Sequence, residues 1–289
     1  MNGLQAFAPG DIFVTGSDLD ESARFPTGMG KILQFDRNWA PKATFDTGHK
    51  GLISSLVIDN DGTLHAFDPQ ARARIAIGAD GRPRQMFEAM AAVALGSMIA
   101  LPGGDYLVGE HMVGEIPGFS GKGHVYRIDA SGRVLAEYDT ETNGGMGGFL
   151  GVTHMALSPD GQMLYHSSET GAHVYAHDLA ANRRLGAVYS RTDPPPLVFG
   201  IACLPDGTLL VACGNAVRRV LPGGETSRTY AMPEGRGWAV PIIRNDRQFR
   251  ALDFFGGRVA TVDLNSGEIV AVQDLGLAKC LAGFAEFPG

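Results

Sequence analysis

A short unit, in which a tight turn joins two apolar strands, recurs along the chain. Its turn glycines are Gly62, Gly104, Gly161 and Gly207, which are separated by 42, 57 and 46 residues. The turn sequences Asn-Asp-Gly, Pro-Gly-Gly and Pro-Asp-Gly supply the fixed and positive φ angles that tight turns need. An apolar segment precedes and follows each turn. The repeat therefore predicts a series of antiparallel strand pairs.

A third and a fourth strand complete each unit. Alternating segments at residues 124–129 and 173–178 follow two of the strand pairs, and a turn at residues 130–132 leads to a further strand at residues 134–138. Four short antiparallel strands at a period of roughly 40 to 50 residues are typical of a β-propeller blade.

Degenerate copies of the unit at both ends bring the count to six. One has its turn at residues 245–247, and another begins with strands at residues 11–15 and 31–36. Residues 281–289 form another first strand, which could complete the N-terminal blade so that no sheet edge stays open. We predict an all-β fold in one domain over residues 1–289: a six-bladed β-propeller of four-stranded antiparallel blades, closed by pairing of the two termini. The alternative is another all-β fold with coincidental turns.

Composition limits the partners. With 24 basic and 31 acidic residues, the net charge is −7, which argues against a nucleic-acid partner. No apolar run reaches the length of a membrane span, so no membrane partner is expected. The three cysteines, Cys203, Cys213 and Cys280, form no CxxC pair and favour free thiols in a reducing cytoplasm. The oligomeric state is left open.

Residues 152–185 carry the segments Met-Ala-Leu-Ser-Pro-Asp-Gly-Gln-Met-Leu-Tyr and Val-Tyr-Ala-His-Asp-Leu. This stretch resembles a propeller repeat of the YVTN type, and similar repeats occur in NHL propellers and in the gluconolactonase/senescence-marker-protein (SMP-30) family. Residues 104–129 also resemble that last family, in which a long glycine-rich loop separates the second and third strands. The resemblance implies the propeller fold. It implies no single function, because such repeats occur in enzymes and scaffolds alike.

The gluconolactonase resemblance further implies a catalytic divalent metal, usually calcium, held by acidic and amide side chains. The family's asparagine and aspartate ligands correspond to Thr153 and Phe199, and its substrate-contacting asparagine corresponds to Gly96. Calcium requires hard oxygen donors, so we expect no calcium site of this type. Whether another divalent metal binds is left open; histidine and carboxylate donors would favour zinc or a transition metal.

Long, varied loops concentrate at one end of the predicted propeller, where a ligand usually binds. His154 opens the first strand of the fourth blade and should lie near the central channel at that end, as an acid, a base or a metal ligand; the alternative is a hydrogen-bonded structural histidine. His111 and Glu110 end the second strand of the neighbouring blade and could form a catalytic or metal-binding pair. Against this, adjacent strand residues point to opposite faces.

The remaining candidates are predicted to contact the substrate. Phe199 and Trp238 could form an apolar wall, with core packing as the alternative. His124, His173 and His177, on third strands, are predicted to be structural. The full set of substrate-contacting candidates is Thr153, His166, Glu169, Phe199, Trp238 and Arg191.

These residues predict a cytoplasmic small-molecule enzyme, either a lactonase-like hydrolase or a lyase. The sequence contains no GxSxG elbow, P-loop or HExxH, so no stronger catalytic motif competes with His154. Streptogramin lyases, which are propellers with a histidine base, show by analogy that the scaffold supports elimination. The alternative is a non-catalytic propeller that binds a small ligand or a protein partner.

Overall fold

Six antiparallel sheets form the protein, which is a six-bladed β-propeller. The computed structural model describes residues 3–17, 28–84, 93–113, 122–141, 149–168, 171–235, 237–276 and 281–288. All regular structure in these ranges is β, as the sequence predicts. No described segment forms a helix long and apolar enough to cross a membrane.

The first half of the chain supplies the strands of the first three blades, apart from one strand that comes from the C-terminal end. They are β1 (Ile12–Ser17), β2 (Met29–Phe35), β3 (Pro41–Lys50), β4 (Ser55–Ile58), β5 (Leu64–Asp68), β6 (Ala73–Ile77), β7 (Pro83–Arg84), β8 (Leu95–Ala100), β9 (Tyr106–Val113), β10 (Val125–Ile128), β11 (Val134–Tyr138) and β12 (Phe149–Gly151).

The second half supplies blades four to six and the closing strand. They are β13 (His154–Leu157), β14 (Met163–Ser167), β15 (His173–Asp178), β16 (Arg183–Ser190), β17 (Ile201–Cys203), β18 (Leu209–Ala212), β19 (Ala216–Val220), β20 (Thr226–Ala231), β21 (Trp238–Ile243), β22 (Gln248–Asp253), β23 (Arg258–Asp263), β24 (Ile269–Asp274) and β25 (Phe284–Glu286).

The strands are ordered in a simple sequence within each blade. Blade one is β25-β1-β2-β3, blade two β4 to β7, blade four β13 to β16, blade five β17 to β20 and blade six β21 to β24. Blade three is β8 to β11, and in addition the short β12 pairs with the end of the long β9. This fifth strand is not predicted by the repeat.

The ring closes through the two ends of the chain, as predicted. β25 pairs antiparallel with β1, with Phe284 opposite Val14 and Glu286 opposite Ile12. The backbone N–H of Gly283 also donates to Thr15 Oγ1 at 2.7 Å. The C-terminal segment thus supplies the innermost strand of the first blade.

Apolar side chains between neighbouring blades form the core. Trp238, Tyr230 and Phe249 are buried between blades five and six, and Phe13 packs with Ile53 between blades one and two. Burial of a large apolar side chain contributes about 1.5–3 kcal/mol. The core therefore holds the blades in a fixed radial arrangement around a central channel.

The two ends of the propeller differ in their connections. The tight turns lie at one end, which we call the turn face, and their glycines Gly62, Gly104, Gly161 and Gly207 have φ angles of 75°, 86°, 69° and 80°. Positive φ is readily adopted only by glycine, which explains the recurrence of glycine in the sequence. The connections between second and third strands lie at the opposite end, which we call the loop face.

Candidate functional site

The first strand of each blade borders the central channel, and His154 is the first residue of its strand β13. Its side chain lines two cavities in the channel. The cavity nearer the loop face, which we call the upper cavity, has a volume of about 20 Å³ and is also lined by His111, Thr153 and Phe199. The other, which lies farther from the loop face and which we call the deeper cavity, has a volume of about 120 Å³. A cavity of roughly 10–15 Å³ can hold a water molecule, so the upper cavity has room for about one.

The hydrogen bonds of Thr153 favour one tautomer of His154. Thr153 Oγ1 lies 3.1 Å from the carbonyl oxygen of Ser167 and donates its only proton there. Thr153 Oγ1 also lies 3.3 Å from His154 Nδ1, and with its proton directed at Ser167 it accepts from that nitrogen. In this arrangement the neutral imidazole of His154 carries its proton on Nδ1 and a lone pair on Nε2.

Nε2 of His154 is shielded from solvent and has no hydrogen-bond partner among the described residues. A buried nitrogen without a protein partner is usually completed by water or by a ligand. Burial lowers the pKa of His154 to about 4. The imidazole is therefore neutral at neutral pH, and its Nε2 lone pair is available as a proton acceptor.

His111 approaches His154 from the neighbouring blade. It lies near the end of β9, opposite Gly151, and its backbone N–H donates to the carbonyl of Ala94 at 2.7 Å. Burial, with a smaller contribution from His154, lowers the pKa of His111 to about 4. The structure thus brings together the two histidines that the sequence selects, both in the neutral form.

Gly96 explains how His111 fits beside the channel. A Cβ atom at position 96 would lie 2.5 Å from the Cβ of His111, so the glycine makes room for the imidazole. This position corresponds to the substrate-contacting asparagine of the gluconolactonase family. In this protein His111 occupies the space that the asparagine side chain would take. Sequence reasoning missed this contact because Gly96 and His111 lie on two different strands.

Glu110 points away from the channel. Its carboxylate is fully buried, and Oε2 accepts backbone N–H bonds from Lys122 at 2.8 Å and Gly123 at 2.9 Å. Glu110 does not line either channel cavity. Because successive strand residues face opposite sides, Glu110 holds the start of the β10 segment while His111 faces the cavity, so the structure does not form the Glu-His pair.

Of the predicted substrate-contacting residues, Thr153 and Phe199 line the upper cavity. The position of Glu169 lies outside the described residues. His166 lies on the strand paired with β13 but faces the other way, because its register partner is Met155 and not His154. Its ring stacks on Tyr175 with ring centroids 5.5 Å apart, and burial lowers the pKa of His166 to about 3.

Trp238 and Arg191 are structural in their contacts. Trp238 is fully buried in the core between blades five and six, and its Nε1 donates to the carbonyl of Pro233 at 2.9 Å. Arg191 is also buried; it donates to the carbonyl of Cys213 at 2.7 Å and forms an ion pair with Asp193. Neither side chain lines the channel cavities, so the predicted apolar wall consists of Phe199 without Trp238.

The third-strand histidines each have a partner on their own blade. His124 Nδ1 lies 2.8 Å from Glu137. His173 Nδ1 lies 2.8 Å from Ser190 Oγ, and the Nε2 of His177 lies 3.0 Å from Asn182 Oδ1. These contacts are those of structural histidines.

Serine hydroxyls line the channel below the histidines, and sequence reasoning missed them. Ser54 occupies in blade two the place that Thr153 occupies in blade four, and its Oγ donates to the Gly96 carbonyl at 2.7 Å. Ser55 and Ser97 line the deeper cavity, and Ser55 Oγ has no hydrogen-bond partner in the described part of the chain. Alignment of the first strands could have found Ser54, since it precedes a first strand as Thr153 does.

The site does not fit the calcium ion of the gluconolactonase family. Of the corresponding positions, Thr153 uses its hydroxyl proton within the fold, Phe199 offers no donor, and Gly96 has no side chain. Across the described ranges, no three His, Cys, Asp or Glu side chains come together as a metal-binding group. His111 and His154 are the side chains of this cavity that could ligate a transition metal.

Comparisons with known proteins identify the fold. No known family matches the sequence, and no curated protein matches it. A chain of the nidogen/laminin complex is similar in structure, with a TM-score of 0.65 and 14% identity over 96% of this chain and 98% of that one.

Two further solved structures match over most of their length. A catalytically inactive histidine-to-alanine variant of virginiamycin B lyase from Staphylococcus aureus, solved with quinupristin, has a TM-score of 0.59 and 15% identity over 95% of this chain and 96% of that one. Regucalcin, a calcium-binding protein from Agrobacterium tumefaciens, has a TM-score of 0.56 and 16% identity over 87% of each chain. At these identities, the comparisons show a shared fold alone.

Proposed function

We propose that the protein is a small-molecule enzyme that opens an ester or a lactone, with His154 as the general base. The observation that carries the proposal is the shielded Nε2 of His154, which bears a lone pair and has no hydrogen-bond partner among the described residues. A positioned base of this kind typically contributes about 10²–10⁴-fold to a rate.

The geometry favours hydrolysis. The upper cavity beside His154 has room for about one water molecule. In the proposed step, Nε2 takes a proton from this water as the water oxygen attacks the ester carbonyl carbon. The ester C–O bond then breaks, and Nε2 returns the proton to the leaving oxygen. Thr153 Oγ1 accepts a hydrogen bond from Nδ1–H and so keeps Nε2 as the basic atom. No step of this scheme uses a calcium ion.

Elimination is the second candidate. A base in the same place could take a proton from a carbon next to a carbonyl, after which the C–H electrons form a double bond and expel the leaving oxygen. In its favour, the similar propeller of virginiamycin B lyase is catalytically inactive as a histidine-to-alanine variant. A non-catalytic propeller that binds a protein partner is the remaining alternative.

The low pKa of His154 gives the proposal a pH signature. Burial holds the pKa at about 4, against about 6.5 for a free histidine. Because the base must be unprotonated, activity should persist as pH falls through 6.5 and should decline only near pH 4. The low pKa also makes the resting imidazole a weak base, so turnover depends on its positioning beside the reacting atoms.

The test uses a panel of lactones and carboxylic esters in water enriched in ¹⁸O, with mass spectrometry of the products. Hydrolysis is expected to add one ¹⁸O atom to the acid product. A product that contains a new double bond and no ¹⁸O would show that the reaction is an elimination and not a hydrolysis. An absence of turnover across the panel, together with binding of a panel compound, would favour the non-catalytic alternative.

A further inference from the structure

Two adjoining cavities open on the turn face between blades six and one, at the opposite end of the propeller from the loop face. Their volumes are about 420 Å³ and about 470 Å³, which lie within the range of small-molecule sites. Both are lined by Gly10, Arg244, Arg250 and Glu286. We call the two cavities together the basic groove.

The groove carries positive charge on a negatively charged protein. Among the residues that line it, the three guanidinium groups of Arg37, Arg244 and Arg250 face the single carboxylate of Glu286. Three positive charges minus one negative charge leave a local excess of +2, whereas the chain as a whole has a net charge of −7. A concave surface of this kind concentrates anions.

Arg250 is the buried one of these three arginines. Its side chain is only 5% exposed, and its guanidinium packs over the rings of Trp39 and Phe284, at 5.5 Å and 5.2 Å from their centroids. Nη1 donates to Glu286 Oε2 at 2.5 Å, but Nε has no partner among the described residues. A guanidinium has five N–H donors, and the one on Nε of this buried cation has no acceptor in the described part of the chain.

Trp39 occupies a position that other blades give to glycine. It ends the turn between the third and fourth strands of blade one with a φ of 67°, and the corresponding turns of blades two, three and five have Gly81, Gly132 and Gly224 with φ of 78°, 83° and 85°. A bulky residue is disfavoured at positive φ. Such local exceptions concentrate at ligand sites, and this one places an aromatic ring over Arg250.

We infer that the basic groove binds a small organic carboxylate with an apolar body. The carboxylate would pair with Arg250 and Arg244, in competition with Glu286, since guanidinium groups bind carboxylates through two parallel hydrogen bonds. The apolar body would lie along the wall of the first cavity. That wall is formed by Ile242, Ile243, Phe284, Phe287 and Pro288.

Phenylacetate tests the inference by calorimetric titration of the whole chain. It should bind with a dissociation constant of about 1 mM or below, as good ligands of this size do. Phenylacetamide, which has the same body without the charge, and inorganic phosphate, which has charge without the body, should each bind at least about tenfold more weakly. No binding of phenylacetate, or equal binding of the amide or of phosphate, would overturn the inference.

Single-residue variants test whether phenylacetate binds in the basic groove. Arg244→Gln changes an exposed residue and should weaken phenylacetate binding about tenfold, whereas Glu286→Gln should strengthen it because it removes the competing carboxylate. Arg133→Gln, at the turn between the third and fourth strands of blade three, is the control at an exposed turn-face arginine outside the groove and should bind as the parent does. Unchanged binding in Arg244→Gln, or weakened binding in Glu286→Gln, would contradict the inference when the melting temperatures are unchanged. None of these residues contacts His154, so the proposed esterase activity is tested separately.

Discussion

Replacing His154 with alanine is expected to lower the turnover of an ester or lactone substrate at least about a hundredfold. The reason is that His154, which lines the upper cavity and whose Nε2 has no partner among the described residues, is the proposed general base, and alanine supplies no replacement. The measurement is kcat/KM of the purified variant against that of the parent. His173→Ala is the matched control, because His173 lies on a third strand and its imidazole contacts Ser190 of the adjacent fourth strand. This variant should leave turnover unchanged.

The stability of the His154→Ala variant separates a catalytic from a structural histidine. The side chain is partly buried at a strand end and makes one hydrogen bond, to Thr153. Its loss should cost about 1 kcal/mol, which lowers the melting temperature by no more than about 4 °C in a protein of this size. An unfolded variant would show that His154 is a structural residue. A folded variant with full turnover would show that His154 takes no part in the reaction.

A chain that ends at residue 280 is expected not to fold. It lacks β25, the innermost strand of blade one, and with it the buried side chains of Leu281 and Phe284. Burial of these two side chains contributes roughly 3–6 kcal/mol, which is comparable with the roughly 5–15 kcal/mol of total stability of a typical protein. The deletion also leaves the inner edge of β1 without its partner strand.

Circular dichroism and size-exclusion chromatography of the shortened chain provide the measurement. A chain that ends at residue 287 keeps β25 and is the control; it should melt as the full chain does. Cooperative melting of the shorter chain within about 5 °C of the full chain would mean that ring closure through β25 contributes little to stability.

The blades are largely predictable from the sequence because their signals are local. Turn sequences such as that around Gly161 need positive φ angles, and strand alternation follows from burial of one face. β12 was not predictable, since its pairing with the end of β9 depends on a long-range contact opposite His111. Arg191 illustrates the same limit: a charged residue in a predicted loop is buried because distant backbone carbonyls, including that of Cys213, accept its hydrogen bonds.

The site is predictable only in part. The place of His154 follows from its position at the start of a first strand, and strand alternation correctly separates His111 from Glu110. The role of Gly96 in making room for His111 could not be read from the sequence, because it depends on the approach of two strands. Nor could the tautomer of His154, which depends on the hydrogen bond between Thr153 and Ser167.

The proposed chemistry requires a neutral His154 that presents the lone pair of Nε2 to the channel, and ¹⁵N NMR of the labelled imidazole tests this directly. Chemical shifts distinguish protonated from unprotonated ring nitrogens, and His154→Ala assigns the signals. We expect a proton on Nδ1, none on Nε2, and a titration midpoint with a pKa of about 4 for His154. A proton on Nε2 at pH 7, or a midpoint near the ordinary histidine value of about 6.5, would contradict the role of His154 as the general base.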